Sequence, residues 1–158
     1  MGMRKVLAGL AAAVALAVGL VLVLPSGDAD ASGRELSHKA AAAKLRKANI
    51  GWTSSGGCSN RHNPTCTSFR GIKSGTIKGV ITLKKASKCR LTVTGGTETG
   101  HAPGKYSHWN GYKIDISRTS CATRYIKRSF SYIGGAKWRS AAGNVYYDEG
   151  DHWDITYY

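Results

Sequence analysis

Acidic residues are scarce in this chain of 158 residues, and no internal repeat or low-complexity tract occurs in it. Only 9 Asp and Glu stand against 23 Lys and Arg, which gives a formal net charge of +14 at pH 7. Hydrophobic residues nevertheless make up 42% of the chain and aromatic residues 9%. That composition excludes a disordered basic tail. The length fits one domain and is too short for two ordinary ones, so we expect a single folded basic domain.

A long apolar run occurs near the amino terminus. Residues 6–24 are rich in Ala, Leu, Val and Gly, follow Arg4 and Lys5, and precede an A-x-A pattern of small residues. We interpret residues 1–31 as a secretory signal peptide. An uncleaved membrane anchor is the alternative, because crossing a bilayer takes roughly 20 apolar residues. Either interpretation places the domain of residues 32–158 outside the cytoplasmic membrane, secreted or in the cell envelope.

The positive charge belongs to the exported domain, because residues 1–31 hold two basic and two acidic residues. An exported cationic domain meets anionic polymers such as wall teichoic acids, acidic lipid or extracellular nucleic acid. A solvated basic surface that aids solubility explains the charge equally well. No basic-aromatic nucleic-acid motif is found, so we expect anionic wall polymers and not nucleic acid as partners.

The exported part contains four cysteines, Cys58, Cys66, Cys89 and Cys121. An even number in a small domain outside the cytoplasm indicates two disulfides, for which three pairings are possible. Cys58 and Cys66 flank a turn-rich stretch that can close on itself, and this pairing would leave Cys89 with Cys121. A zinc site of four thiolates is the alternative, but the cysteines lack paired C-x-x-C spacing.

Residue periodicity predicts an α+β domain with a small antiparallel sheet and helices on one side. Residues 118–131 are ambiguous, and the spacing of Tyr125, Ile126, Phe130 and Ile133 is compatible with a helix. The expected elements are a helix at 36–49, a loop at 58–70, a helix at 73–87, and strands starting at Arg90 and covering 112–117, 145–147 and 153–158, with a polar turn at 148–152.

Potential metal ligands concentrate beside the predicted strands. His108, Asp115 and His152 together supply two imidazoles and a carboxylate. This ligand set suits Zn²⁺ and leaves a fourth position for water or substrate. Asp115 also lies within an apolar strand, where a carboxylate is costly unless it is paired or bound to a metal. The sequence therefore predicts one zinc site of three protein ligands.

Glu149 is the candidate general base, because it precedes His152 by three residues in an E-x-x-H arrangement. Metal coordination lowers the pKa of a bound water to about 7, and a nearby carboxylate can then accept its proton. We assign His101 and Trp109 to substrate binding, His101 as a group that polarises the substrate and Trp109 as the wall of a cleft.

Two motifs in this order resemble those of the zinc D-alanyl-D-alanine peptidases, whose wider superfamily includes lysostaphin-type enzymes and the hedgehog signalling domain. One is S-H-x-x-G-x-x-x-D and the other is E-x-x-H-W. The matching residues are Ser107, His108, Gly111 and Asp115 for the first, and Glu149, His152 and Trp153 for the second.

The resemblance implies a hedgehog/DD-peptidase-like fold, with His108, Asp115 and His152 as zinc ligands and Glu149 as catalytic base. It also implies a secreted carboxypeptidase or endopeptidase that hydrolyses peptidoglycan peptides, and we expect a monomer. A non-catalytic zinc-containing cell-wall or partner-binding domain is the alternative, because the hedgehog domain shows that this scaffold serves recognition.

The resemblance covers residues 91–157 and departs from the family in one respect. These peptidases usually place an arginine in a turn before the first histidine, where it steadies the developing oxyanion. The corresponding stretch here, residues 94–98, contains no arginine. Lys105 and Lys113 are the candidate substitutes.

Overall fold

The computed structural model describes residues 33–158, so the predicted signal peptide lies outside the described residues. No helix within residues 33–158 is long and apolar enough to cross a membrane. In chain order the elements are β1 (Glu35–Leu36), α1 (His38–Lys47), β2 (Gly51–Trp52), β3 (Ile72–Lys73), α2 (Ser74–Ser87), β4 (Thr92–Gly95), β5 (Lys113–Ser117), α3 (Ser120–Ser129), β6 (Ser131–Gly134), β7 (Lys137–Arg139), β8 (Val145–Asp148) and β9 (His152–Thr156).

The strands form a two-stranded sheet, β1-β3, and a seven-stranded sheet in the order β2-β4-β5-β9-β8-β7-β6. Neighbours in the larger sheet are antiparallel except β2 and β4, which pair in parallel. The α+β class is confirmed, but the expected small antiparallel sheet is in fact larger and mixed. The additional strands contain only two to four residues each, too few to show a period in the sequence.

Both predicted amino-terminal helices form. The side chain of Ser37 caps α1 by accepting a hydrogen bond from the Ala40 N–H at 3.2 Å. α2 ends where Lys88 adopts a left-handed conformation with φ 57°. A glycine is required at position 79 within α2 because the ring of Tyr157 packs directly against it. A Cβ at this position would overlap that ring.

The ambiguous segment contains α3, which begins after Thr119, whose hydroxyl accepts a hydrogen bond from the Ala122 N–H at 3.2 Å. The helix stops at Phe130, whose backbone is extended. Ile133, whose spacing is also compatible with a helix, lies in β6. Gly134 and its neighbour Gly135 turn the chain into β7 with φ values of 89° and 56°, which favour glycine.

Strands β5 and β9 form the centre of the larger sheet, and their two faces differ chemically. On one face Ile114, Ile116, Trp153 and Ile155 are fully buried in the hydrophobic core. α2 packs against β5 and against the other two helices. Because alternate residues of a strand point to opposite faces, the intervening residues of β5 and β9 share the second face, which carries Asp115.

Both preferred disulfide pairings are confirmed: Cys58 bonds to Cys66 and Cys89 bonds to Cys121. No cysteine of residues 33–158 is free, so the thiolate zinc site is excluded there. Cys58–Cys66 closes a local loop, whereas Cys89–Cys121 joins the segment after α2 to the first turn of α3. Two disulfides are compatible with an oxidising environment outside the cytoplasm.

The two disulfides contribute unequally to stability. Replacing Cys89 and Cys121 by Ala frees a loop with a sequence separation of 32 and lowers the free energy of unfolding by about 4 kcal/mol. Replacing Cys58 and Cys66, with a separation of 8, lowers it by about 2.5 kcal/mol. Urea denaturation of the two double variants measures the difference; an equal or reversed order would contradict the loop-entropy argument.

Candidate metal centre

Asp115 lies at the middle of the second sheet face, opposite Gly95 on β4 and Asp154 on β9. Its side chain is only 5% exposed. A Cβ added at Gly95 would overlap the Asp115 Oδ2 oxygen, so glycine at this position makes room for the carboxylate. The strand pairing therefore fixes one buried anionic group as the centre of the site.

His108 contacts this carboxylate from the loop between β4 and β5. Its Nε2 lies 3.2 Å from Asp115 Oδ1, and its Nδ1 lies 2.6 Å from the carbonyl oxygen of Gly96. Only a protonated Nδ1 can donate to that carbonyl. The Gly96 carbonyl thus orients the ring so that Nε2 faces Asp115, as the second hydrogen bond of a metal-ligating histidine commonly does.

His101 lies on the same loop and stacks on His108 with ring centroids 3.7 Å apart. Its Nδ1 is 3.8 Å from Asp115 Oδ2, and its Nε2 is 3.4 Å from Glu98 Oε1. His101, His108 and Asp115 each offer one ligand atom, and these atoms lie within 4.8 Å of one another. These three residues, the metal trio, could hold a metal ion.

His152, the first residue of β9, approaches the same carboxylate. Its Nε2 lies 3.9 Å from Asp115 Oδ2 and 3.2 Å from Glu149 Oε2, while its Nδ1 lies 2.6 Å from Asp151 Oδ1. The structure therefore brings together the predicted ligands His108, Asp115 and His152 and the predicted base Glu149. His152 stands at the edge of the site, beside the metal trio.

The chemistry of these groups fits a divalent cation. Asp115 Oδ1 is buried and accepts no hydrogen bond within the described residues. Burial acts to raise the pKa of Asp115, but His108 and the two other histidines hold it below its usual value. Burial acts to lower the pKa of His108, yet Asp115 and Asp154 raise it. Imidazoles around a carboxylate with an unsatisfied oxygen are suited to Zn²⁺.

A cavity of about 440 Å³ opens beside His101. Trp109 lines it with a side chain 41% exposed, and the guanidinium of Arg61 lies over the Trp109 ring at 3.8 Å. The two residues assigned to substrate binding, His101 and Trp109, therefore share one cavity next to the metal trio.

The two lysines considered as substitutes for the family's arginine form no ion pair with Asp115 or Glu149, although the partner of Lys113 borders His108. Lys113 is paired with Asp154, and the Lys105 ammonium lies over the ring of Tyr106 at 5.1 Å. Among residues 33–158, no lysine or arginine forms an ion pair with Asp115 or Glu149.

Two acidic residues of the site were not predicted from the sequence. Asp154 follows His152 by two residues, so strand alternation could have placed both on the face of Asp115. No spacing pattern identifies Glu98, which enters the site through the fold of its loop. His38 lies elsewhere, with its ring stacked 5.1 Å from that of Phe69.

Comparisons with protein-family models, with curated proteins and with solved structures find no match for this chain. The resemblance to the zinc D-alanyl-D-alanine peptidases therefore stays a prediction from two motifs. The distances and burial of His101, His108 and Asp115 support metal binding independently of that resemblance.

Asp148 anchors the segment that contains Glu149 and leads to His152. Arg118 donates to both carboxylate oxygens of Asp148, at 2.7 and 3.2 Å, and the Lys127 ammonium lies 3.1 Å from Oδ2. The bidentate contact with Arg118 is the main reason that the pKa of Asp148 falls to about 2. This ion-pair network ties the end of β8 to α3.

Asp148 stabilises the fold in a pH-dependent way. Its folded pKa of about 2 is below the usual aspartate value of 3.8, so the stabilisation is present above about pH 4 and is lost as the pH falls through 2. Asp148→Asn should lower the free energy of unfolding by about 1 to 2 kcal/mol at pH 7, allowing for the partly exposed Arg118. Urea denaturation should show a much smaller loss at pH 2, where the carboxylate is about half protonated in the folded state. A loss of equal size at both pH values would contradict this role.

Proposed function

We propose that the exported domain is a zinc metallopeptidase that hydrolyses peptidoglycan peptides, as a carboxypeptidase or an endopeptidase. The observation that carries the proposal is the meeting of two distant motifs at one buried carboxylate. His108 lies 3.2 Å from an Asp115 oxygen, and His152 lies between that carboxylate and Glu149. This combination of groups is suited to metal-assisted hydrolysis.

His108, Asp115 and His152 are the proposed ligands. A bound zinc ion in such a site polarises a carbonyl and acidifies water. Gly96 holds His108 through Nδ1, and Asp151 holds His152 through Nδ1, so both histidines present Nε2 toward Asp115. Such supporting hydrogen bonds fix the tautomer and the orientation of ligating rings.

Glu149 is the proposed general base. Its carboxylate contacts His152 at the edge of the ligand set and is 35% exposed, so it can meet both the ligands and an incoming substrate. Glu149 takes a proton from the attacking water and passes it to the amine that leaves the cleaved peptide bond. The cavity lined by His101 and Trp109 would receive the peptide.

A basic groove between α1 and α2 supports a second partner, anionic wall polymers. The groove has a volume of about 830 Å³ and is lined by four lysines, Lys44, Lys47, Lys78 and Lys85. Clustered lysines raise the local concentration of polyanions through long-range attraction. The groove would hold the enzyme on the wall while the separate metal centre acts on peptides.

One observation favours the alternative function, a non-catalytic zinc-containing domain that binds the wall or a partner. Where the family's arginine is expected, this chain has a carboxylate, Glu98, which lies 3.4 Å from His101. A carboxylate cannot stabilise a developing oxyanion. In this alternative the metal stabilises the loop and the basic groove provides binding.

The variant Glu149→Gln distinguishes the zinc peptidase from the non-catalytic zinc-containing domain. Because Gln cannot accept the proton, muropeptide hydrolysis should fall by about 10² to 10⁴, while the zinc content stays that of the wild type. His108→Ala, in contrast, should lose zinc as well as activity. The matched control is Glu35→Gln at an exposed site on β1, which should leave both unchanged.

Turnover and metal content per protein are the two measurements. A Glu149→Gln protein that hydrolyses at the wild-type rate would show that this residue is not the base. Wild-type protein that retains zinc but cleaves no muropeptide would support the non-catalytic alternative.

The lysine groove predicts salt-sensitive wall binding. Lys78→Glu combined with Lys85→Glu should weaken binding to teichoic-acid-containing sacculi at least tenfold at low salt and leave zinc content unchanged, since the attraction is electrostatic. Lys105→Glu with Lys137→Glu makes the same charge change outside the groove. Co-sedimentation measures both; equal weakening would show that net charge, not the groove, controls binding.

A further inference from the structure

We propose that His101 is a metal ligand of this centre and that Glu98 is the residue that positions it. The cation would then be held by the three imidazoles of His101, His108 and His152 together with Asp115, and an attacking water would take a fifth position, to which zinc sites can expand. The inference rests on the metal site of the proposed function and is independent of whether that site is catalytic.

The position of His101 relative to the central carboxylate carries the assignment. Its Nδ1 lies 3.8 Å from Asp115 Oδ2, about as close as His152 Nε2, at 3.9 Å. His101 also belongs to the compact metal trio, whose ligand atoms lie within 4.8 Å of one another. Its ring is nearly parallel to that of His108, with an interplanar angle of 14°. His101 is therefore placed at least as well for ligation as His152.

Glu98 is arranged to hold the ring of His101. The Glu98 side chain is only 4% exposed. Its Oε2 accepts the Ser68 N–H at 2.7 Å, and its Oε1 accepts the Gly96 N–H at 2.9 Å. The remaining side-chain partner is His101 Nε2 at 3.4 Å. A carboxylate that accepts from Nε2–H leaves Nδ1 as the unprotonated nitrogen, and Nδ1 is the atom that faces Asp115.

Gly96 joins the supports of both histidines. Its N–H binds the carboxylate of Glu98, and its carbonyl accepts from Nδ1 of His108. A Cβ at Gly96 would overlap the carbonyl oxygen of Ser68, so the chain reaches this position only with glycine. One residue thus supports the orientation of both rings, directly for His108 and through Glu98 for His101.

This set of ligands determines which metal ions the site prefers. Three imidazoles and one carboxylate favour Zn²⁺ and related transition metals over Mg²⁺ and Ca²⁺, which prefer oxygen ligands. The resemblance assigns two histidines to the metal, so counting imidazoles distinguishes the two sets of ligands.

X-ray absorption at the zinc edge of the full exported domain tests the inference directly. We expect three imidazoles on zinc in the wild type and two in His101→Ala. Competition with a chelator should show at least tenfold weaker zinc binding in His101→Ala, and 10- to 100-fold weaker binding in Glu98→Gln. His62→Ala, at an exposed histidine outside the trio, should match the wild type in both measurements.

A wild-type count of two imidazoles, or wild-type zinc affinity in His101→Ala, would overturn the inference. The wild-type count requires no variant, so misfolding of one variant leaves the test valid. Three imidazoles without muropeptide hydrolysis would reject the peptidase and keep His101 as a ligand. Two imidazoles with hydrolysis would support the peptidase and reject His101 as a ligand. Wild-type protein that binds no zinc would overturn both proposals.

Discussion

The site is organised by one buried carboxylate, that of Asp115. At 5% exposure an anionic group is costly unless cations or hydrogen bonds compensate for it. Within residues 33–158 its ion-pair partners are all histidines, His101, His108 and His152. A single cation shared by these rings would also satisfy the oxygen of Asp115 that accepts no hydrogen bond. The pairing of β5 with β4 and β9 holds this carboxylate in position and thereby determines where the rings meet.

Residues of the loop between β4 and β5 position the groups that surround that carboxylate. Gly95 leaves room for the Asp115 side chain, and Gly96 contacts both Glu98 and His108. Ser68 joins the same network through its N–H and its carbonyl. Backbone groups therefore orient His108 directly and His101 through Glu98, which is a rigid form of support because peptide groups have no rotamers to lose.

The distribution of charge adds a second constraint. The chain is strongly basic, yet five of the seven acidic residues within residues 33–158 surround the site. These are Glu98, Asp115, Glu149, Asp151 and Asp154. A local cluster of carboxylates attracts a divalent cation even in a protein with a net charge of +14, because nearby charges in a partly buried site outweigh distant screened ones. The lysines of the α1–α2 groove lie outside this cluster and therefore do not pair with its carboxylates.

Local patterns in the sequence were enough to predict the helices α1 and α2, the strands β4, β5, β8 and β9, and both disulfide pairings, because a period or a turn-rich spacing is a property of neighbouring residues. The same patterns suggested His108, Asp115, His152 and Glu149 as one group, which the strand pairing brings together. The tertiary structure alone showed the short strands and the place of Glu98 and His101. A strand of two residues has no period, and the contacts of Glu98 with Ser68 exist only after the chain has folded, so neither leaves a signal in the sequence.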